Sequence, residues 1–260
     1  MEFKEVVGNR RSVRHFLPYK QVEREKIQVM LEAANRSSRS MNADYVKAIA
    51  VNRDELSEEL RDSLRNPTTT LDLDMAPTYI MWFINLKYPE GTKERLKQLI
   101  DHGVNTPSHG WSHAYVDGVI QKTVIDKIAG DDFRLNWMGA IETGQAIAQA
   151  LLAAYDEGLG ACLHNFTDTK IREALNVPDH WRRAWIMLVG YPAMGAEDGG
   201  QRPRRPLSEN FYWGDANTPF ESDPAVVAKL TEAKLLQTPS PTPHRFEEIR
   251  LFNREFGLPD

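Results

Sequence analysis

The chain has 260 residues, 41% of them hydrophobic and 27% charged, with a formal net charge of −5. These values are typical of a soluble globular protein with a sizeable core in one large domain or two small ones. The acidic balance argues against general nucleic-acid binding. No apolar run approaches the ~18 residues needed to cross a bilayer, and residues 1–16 lack the apolar stretch of a signal peptide. We therefore expect a cytoplasmic protein with no membrane partner.

In chain order, the patterns predict helices at residues 2–7, 22–35, 54–66, 93–101, 136–157 and 169–176, and strands at residues 45–51, 79–84, 160–164 and 184–189. Two loops stand out between them. One is the Ser-rich stretch at residues 36–42, and the other is a long loop at residues 102–118 that is dense in His, Gly, Trp and Tyr. Trp181 and Trp185 flank the last strand and are expected in the core. Strands separated by helices indicate an α+β or α/β sheet with helical cover.

The helix at residues 136–157 is the strongest of these predictions. Ile141, Gly144, Ala148, Leu151 and Tyr155 form one apolar stripe, and further apolar residues widen it around the helix. A helix that apolar, and that rich in Gly and Ala, should be covered on more sides than one sheet can provide.

The chain changes character near residue 214. Residues 214–260 contain several prolines and two modest amphipathic helical patterns, which are too little to form a core of their own. We predict a main domain at residues 1–213 and a C-terminal extension at residues 214–260 that packs on the body or on a partner subunit.

Two basic clusters interrupt this acidic chain. Arg10, Arg11 and Arg14 surround Ser12, and Arg202 and Arg204 lie in a Pro-containing extended stretch together with Arg205. Guanidinium groups suit phosphate oxygens, and a hydroxyl adds a short-range donor. Taken singly, each cluster favours the interpretation as a solvated turn or surface loop. Two such clusters in an acidic protein suggest a local anion site.

Five segments, in this order, resemble motifs of the nitroreductase family. They are Arg-Arg-Ser-Val-Arg-His-Phe at residues 10–16, the Ser40 and Asn42 loop before the first strand, the long helix ending in Gly-Leu-Gly-Ala-Cys162, the apolar strand ending in Gly-Tyr-Pro192, and Arg-Pro-Arg-Arg-Pro-Leu at residues 202–207. The resemblance covers about residues 3–212. Each motif is weak alone, and their order and spacing make the set specific.

The resemblance implies an α+β fold, with a mixed central sheet flanked by helices, in an intertwined homodimer with two FMN sites at its interface. Arg10, Ser12, Arg202 and Arg204 would hold the FMN phosphate and ribityl chain, with Arg11 contributing there. Arg14 would lie near the flavin pyrimidine edge, Ser40 and Asn42 would reach the ring from the partner subunit, and His164 and Asn165 would place backbone donors near flavin N5. Cys162 is expected to be a buried apolar residue.

The chain departs from the family pattern around the flavin ring. Asp44-Tyr45-Val46 stands where the family has Gln-Pro-Trp, and Leu163-His-Asn-Phe166 stands where many members have Pro-x-Glu-Gly. These departures leave phosphate binding intact and put the ring environment in question.

The segment at residues 102–118 falls where the family inserts a variable element over the flavin. Trp111, His113 and Tyr115 could therefore contact an aromatic substrate, with simple packing as the equal alternative. His109 and His113 have a spacing that suits metal ligation on a helix, but Pro107 and Gly110 disfavour that helix, so no metal site is predicted.

The resemblance implies an FMN-dependent oxidoreductase that passes hydride from NAD(P)H through the flavin to a nitroaromatic, a quinone or a related electron-poor molecule. No side chain is required as an acid or base, because the redox chemistry belongs to the flavin. One alternative is a flavin-dependent dehydrogenase or reductive dehalogenase of the same fold. Another, from a different class, is a non-catalytic FMN-binding protein.

Overall fold

The computed structural model describes residues 1–65, 70–193, 201–237, 245–255 and 257. This part of the chain forms one four-stranded sheet in the order β1-β2-β4-β3, and each neighbouring pair is antiparallel. A parallel contact is added where Ser12 bridges to Ala161. The strands are β1 (Val46–Asn52), β2 (Thr78–Asn85), β3 (Gly160–His164) and β4 (Trp181–Gly190). The predicted α+β class is confirmed.

Helices surround this sheet. They are α1 (Phe3–Asn9), α2 (Arg24–Asn35), α3 (Glu58–Leu64), α4 (Thr70–Met75), α5 (Thr92–Asp101), α6 (His113–Tyr115), α7 (Asp126–Ala129), α8 (Asp132–Asp156), α9 (Thr169–Ala174), α10 (Leu207–Asn210), α11 (Pro224–Glu232) and α12 (Arg245–Glu255), with a π-helix (Val116–Ile125) between α6 and α7 and 3-10 turns at Ser40–Asn42, Arg53–Glu55 and Pro107–His109. No helix in the described ranges is both long and apolar enough to span a bilayer.

Each face of the sheet is covered by a different set of helices. On one face, Ile80, Trp82, Met187 and Val189 pack against α2 and α8. On the other face, alternate residues of the same strands pack against α3, α4 and α9. Because successive strand residues point to opposite faces, the middle of a strand covered on both sides must be apolar. This accounts for residues 79–84 of β2, whose eight residues are all buried and whose only polar members, Thr78 and Asn85, stand at its two ends.

Helix α8 begins where a side chain can cap it and ends at a glycine. The Asp131 carboxylate accepts a hydrogen bond from the backbone N–H of Arg134, and Gly158 adopts the left-handed conformation after the last turn, with a φ of 74°. The buried side of α8 includes Leu135, Gly139 and Ala146. The predicted stripe begins on the other side, where Ile141 is exposed in the single chain.

The prediction of a loop over all of residues 102–118 is wrong from residue 113 onward. The Ser112 hydroxyl accepts a hydrogen bond from the Tyr115 N–H and starts helix α6. The π-helix that follows buries Val116 and Ile125 against Leu96 of α5. The composition hides the start of this helix, because His113, Tyr115 and Gly118 continue the His-, Gly- and aromatic-rich composition of the loop before it.

Two further differences concern the core. Helix α4 lies in a stretch for which the sequence predicted neither helix nor strand. Trp185 was expected in the core and is 46% exposed; it lies beside an irregularity in the register of β2 and β4. Trp181 is partly buried against the core, as expected.

Two glycines of α8 should respond in opposite ways to substitution by alanine. A Cβ on Gly139 would lie 2.3 Å from Cγ2 of Ile84, whereas a Cβ on Gly144 would meet nothing within 4 Å. We expect Gly139→Ala to destabilise the fold by about 1–3 kcal/mol through overpacking. Gly144→Ala should be neutral or stabilising by up to ~1 kcal/mol, because alanine is the better helix former. Urea unfolding measures both, and equal effects would contradict the packing described here.

Candidate functional site

The basic N-terminal segment lies across the ends of two strands. Ser12 bridges to Ala161 of β3, and the Val13 N–H donates to the Ala161 carbonyl at 3.1 Å. The Leu17 N–H donates to the Tyr191 carbonyl, just beyond β4, at 2.9 Å. A Cβ on Gly160 would lie 2.7 Å from the Cβ of Val13, so this close approach requires glycine. The segment is therefore fixed to the sheet by backbone contacts.

The two basic clusters of the sequence converge in space. Burial is the largest effect that lowers the pKa of Arg10, and the positive charge of Arg204 is the next largest. Burial is also the largest effect that lowers the pKa of Arg11. Tyr155 opposes it by raising the pKa, and the positive charges of Arg202 and Arg10 lower the pKa further. Guanidinium groups almost 200 positions apart in the chain thus lie near enough to repel one another.

These cations have few partners among the described residues. The guanidinium groups of Arg10 and Arg202 make no hydrogen bond or ion pair there, and that of Arg204 donates only to the carbonyl of Pro203, at 3.1 Å. The buried Nε of Arg11 also has no partner in the described ranges. Arg205, in contrast, is paired with Glu209 at 2.7 Å. Like charges held together without a counter-ion form a site for an anion.

Residues near the end of the chain support this cluster. Gln237 accepts a hydrogen bond from Arg11 at 3.0 Å and donates one to Asn9 at 2.7 Å. The Lys234 ammonium is 2.7 Å from the Glu5 carboxylate. A Cβ on Gly8 would lie 1.9 Å from the Lys234 carbonyl oxygen, so the backbone at Lys234 packs directly on α1. Sequence reasoning missed Gln237, because a single glutamine in the Pro-containing C-terminal extension gives no signal.

The other end of the N-terminal segment meets a buried acid. The Arg14 Nε is 4.0 Å from Oδ2 of Asp72, and the His164 Nε2 is 2.9 Å from the same oxygen. Burial lowers the pKa of His164, but its interactions with Asp72 and Cys162 raise it more, and the net effect raises it to about 9. Sequence reasoning missed Asp72, which lies in helix α4. The prediction that Cys162 is buried is confirmed.

Asn165 follows His164 and has the opposite exposure. Its side chain is exposed, and its Oδ1 accepts a hydrogen bond from the Phe166 N–H at 3.0 Å. Because the segment at Ser12 runs parallel to β3, Arg14 and Asn165 lie toward one end of the site and Arg10 toward the other. The site is therefore elongated, with its strongest positive charge at one end.

Ser40 and Asn42 lie away from the basic cluster in the single chain. They form an exposed 3-10 turn in which Met41 and Asn42 have positive φ angles of 55° and 52°. The Ser40 N–H donates to the buried carboxylate of Glu142 at 3.2 Å. The prediction places these residues at the flavin of a second subunit, which a single chain does not test.

Trp111, His113 and Tyr115 form a separate group at the start of α6. Trp111 packs on the small core between α5 and the π-helix, and Tyr115 meets its ring edge-on with centroids 5.8 Å apart. His113 is 2.8 Å from the Asp101 carboxylate. Tyr115 and His113 are exposed, whereas Trp111 also has a packing role. Their predicted contact with substrate stays a prediction.

Comparison with known proteins identifies the family. Residues 7–76 and 111–191, together more than half of the chain, match the nitroreductase family. The chain belongs to the nitroreductase family. The matched residues include the first basic cluster, the turn at Ser40–Asn42, and His164 with Asn165. The second basic cluster lies outside them. No curated protein matches the chain.

Solved structures share the nitroreductase fold at low sequence identity. A nitroreductase family protein from Streptococcus pneumoniae TIGR4 superposes with a TM-score of 0.63 at 20% identity, over 82% of this chain and 100% of that one. A candidate nitroreductase from Exiguobacterium sibiricum in complex with FMN gives 0.64 at 18% identity, over 82% and 97%. A candidate NAD(P)H:FMN oxidoreductase from Staphylococcus epidermidis gives 0.66 at 16% identity, over 82% and 95%.

Inorganic phosphate should stabilise this nitroreductase family protein after its bound ligands are removed. A ligand at 100 times its Kd contributes about 2.7 kcal/mol. Arg204→Gln should weaken that stabilisation, because it removes one cation of the cluster, and it should not destabilise the phosphate-free protein, because it also removes a repulsion. Thermal unfolding with and without phosphate measures both effects. Arg205→Gln, which removes a guanidinium already paired with Glu209, is the matched control, and an equal loss in that variant would contradict the site.

Proposed function

We propose that the chain is an FMN-dependent oxidoreductase that uses NAD(P)H to reduce a nitroaromatic, a quinone or a related small electron-poor molecule. The observation that supports this most is the convergence of Arg10, Arg11, Arg202 and Arg204 beside strand β3, with no counter-ion among the described residues. Membership of the nitroreductase family supports it as well. FMN in the Exiguobacterium relative and the name of the Staphylococcus protein agree with it.

The described residues fit FMN. Its terminal phosphate is the anion that a guanidinium cluster without carboxylate partners in the described ranges selects, and the Nε of Arg11 has no acceptor there. Arg10, Ser12, Arg202 and Arg204 would hold the phosphate and ribityl chain. A dinucleotide would need a second phosphate site, and the sequence has no dinucleotide-binding fingerprint. We therefore propose FMN rather than FAD.

At the other end of the site, the chain would set the electrostatics of the ring. FMN supplies the redox chemistry, accepting hydride from a reduced nicotinamide and passing electrons to the acceptor. Arg14 would place a fixed positive charge near the ring, and a fixed cation favours the anionic reduced form of a flavin. The backbone at His164 and Asn165 would orient the ring. None of these residues is assigned a proton-transfer step.

We also propose that the working form is a homodimer. Phe133, Trp137 and Ile141 recur at every fourth position of α8 and are exposed in the single chain, with exposed fractions of 74%, 56% and 45%. An apolar stripe of this kind on a long helix is typical of a subunit interface. In the dimer, Ser40 and Asn42 would reach the partner's flavin.

The first test is the identity and the redox behaviour of the bound flavin. We expect the purified protein to be yellow, to release FMN on heating, to lose its colour with NADH or NADPH, and to regain it with nitrofurazone. Recovered FAD, or no flavin after reconstitution, would refute the cofactor assignment. Bleaching by dithionite but by neither nicotinamide would instead favour a dehydrogenase, a dehalogenase or a flavin-storing protein.

Assembly can be tested on the stripe of α8. Trp137→Glu places a charge in the proposed interface and should shift the protein from dimer to monomer at micromolar concentration, with loss of flavin. Val29→Glu on α2 is the control, because Val29 is also an exposed apolar helix residue outside the stripe. Sedimentation measures both. A wild-type monomer that retains a full complement of flavin would refute the proposal.

Substrate contact can be tested most cleanly on Tyr115. Tyr115→Ala removes an exposed aromatic surface and should lower the acceptor's kcat/KM about tenfold to a hundredfold, for ~1.4–3 kcal/mol of lost contact. The FMN content and the rate of flavin reduction should stay the same as in the wild type. Tyr19→Ala, another exposed tyrosine, is the control. Trp111→Ala should lose stability in addition, because Trp111 packs on Leu96 and Ile125. An unchanged kcat/KM in Tyr115→Ala would contradict a role in acceptor binding.

A further inference from the structure

Three side chains of different chemistry converge beneath the N-terminal segment. One ligand atom from each of Asp72, Cys162 and His164 lies within 4.8 Å of the other two. Asp72 belongs to α4, whereas Cys162 and His164 are two positions apart on β3 and therefore point to the same face of the sheet. Their exposed fractions are 5%, 2% and 9%. Buried polar groups this close together require an explanation.

A hydrogen bond between His164 and Asp72 does not fully explain the cluster. The Nε2 and Oδ2 atoms are 2.9 Å apart, which is an ion-pair distance, but neither atom has a well-aligned hydrogen-bond partner among the described residues. Two buried atoms that lie this close without a well-aligned hydrogen bond can both donate electron pairs to a third group. The sulfur of Cys162 lies within 4.8 Å of a ligand atom of each of these two residues.

We propose that Asp72, Cys162 and His164 form a binding site for one zinc ion. Carboxylate oxygen, thiolate sulfur and imidazole nitrogen are the donors that zinc takes in proteins, at about 2.0–2.3 Å. Donors around a tetrahedral ion at those distances lie about 3.3–3.6 Å apart. The three ligand atoms lie within 4.8 Å of one another, and the Nε2–Oδ2 distance of 2.9 Å would lengthen by a few tenths of an ångström to admit the ion. Three protein donors leave the fourth position for water.

Charge and proton balance set the conditions for binding. Zinc requires the neutral imidazole and the thiolate, so its arrival releases the imidazolium proton of His164 and the thiol proton of Cys162 to solvent. A dipositive ion with one thiolate and one carboxylate is neutral overall. It is thereby compatible with the neighbouring cations Arg14 and Arg10, which interact with Asp72 and Cys162. The ion would tie α4 to β3 at the residue before Asn165.

Cobalt substitution tests the site on the untagged, flavin-loaded protein. After treatment with a chelator and addition of one equivalent of Co²⁺, we expect a thiolate-to-cobalt charge-transfer band. We also expect the strong d–d bands of a tetrahedral ion, which lie at longer wavelength than flavin absorption. Because the chain has one cysteine, a thiolate band assigns Cys162 without any variant. One equivalent of zinc should abolish the cobalt spectrum, and gel filtration followed by metal analysis should find one zinc per chain.

Variants decide whether the three residues act together. Cys162→Ser and Asp72→Asn should each weaken zinc binding at least tenfold and remove or weaken the cobalt bands. His113→Gln is the matched control, because His113 lies 2.8 Å from Asp101 in an exposed pair without a thiol. A weak octahedral cobalt spectrum without a thiolate band would overturn the site, as would zinc binding equal in wild type and in Cys162→Ser. If a variant fails to fold, the wild-type spectrum still decides. Zinc binding by a protein without flavin would refute the proposed function and leave this inference standing.

Discussion

The attachment of residues 10–17 to the ends of β3 and β4 is the constraint on which the rest of the site depends. It consists of backbone contacts at Ser12, Val13 and Leu17, and it requires a glycine at residue 160, where any side chain would meet Val13. Without it, Arg10 and Arg14 would be solvated side chains on a mobile segment. With it, they occupy the two ends of one elongated surface.

The basic cluster illustrates how a site can oppose the stability of the fold that holds it. Arg10 and Arg11 are partly buried, and the charges of Arg204 and Arg202 act against theirs. Each effect disfavours the folded state when no anion is bound. In the part of the chain that the structure describes, the fold opposes this with neutral contacts, through Gln237 on Arg11 and the packing of Gly8 against Lys234. A carboxylate in place of Gln237 would relieve the repulsion and would also occupy the site.

The sequence predicts the scaffold better than the surroundings of the site. Strand β3 lies where the sequence places it, and α2, α8 and the other strands lie close to their predicted positions, because periodicity and caps are local signals. The convergence of the two basic clusters could be predicted only from the order of the family motifs, since no local pattern relates Arg10 to Arg204. Asp72 and Gln237 were missed because a single polar residue produces no periodic pattern in the sequence. Each has a role in the site only through a residue that is distant in the chain, His164 for Asp72 and Arg11 for Gln237.

The departure from the family pattern at residues 163–166 also has a structural counterpart. A histidine at residue 164 faces the inner side of β3, where an unpaired imidazole would be costly, and Asp72 on α4 meets it there. Phe166 stands where many members have glycine; it is buried and meets Phe83 edge-on, with centroids 6.2 Å apart. The two bulky residues are accommodated by α4 and by the core beneath β2. The end of the site at Arg14 and Asn165 therefore depends on a helix that none of the five family motifs contains.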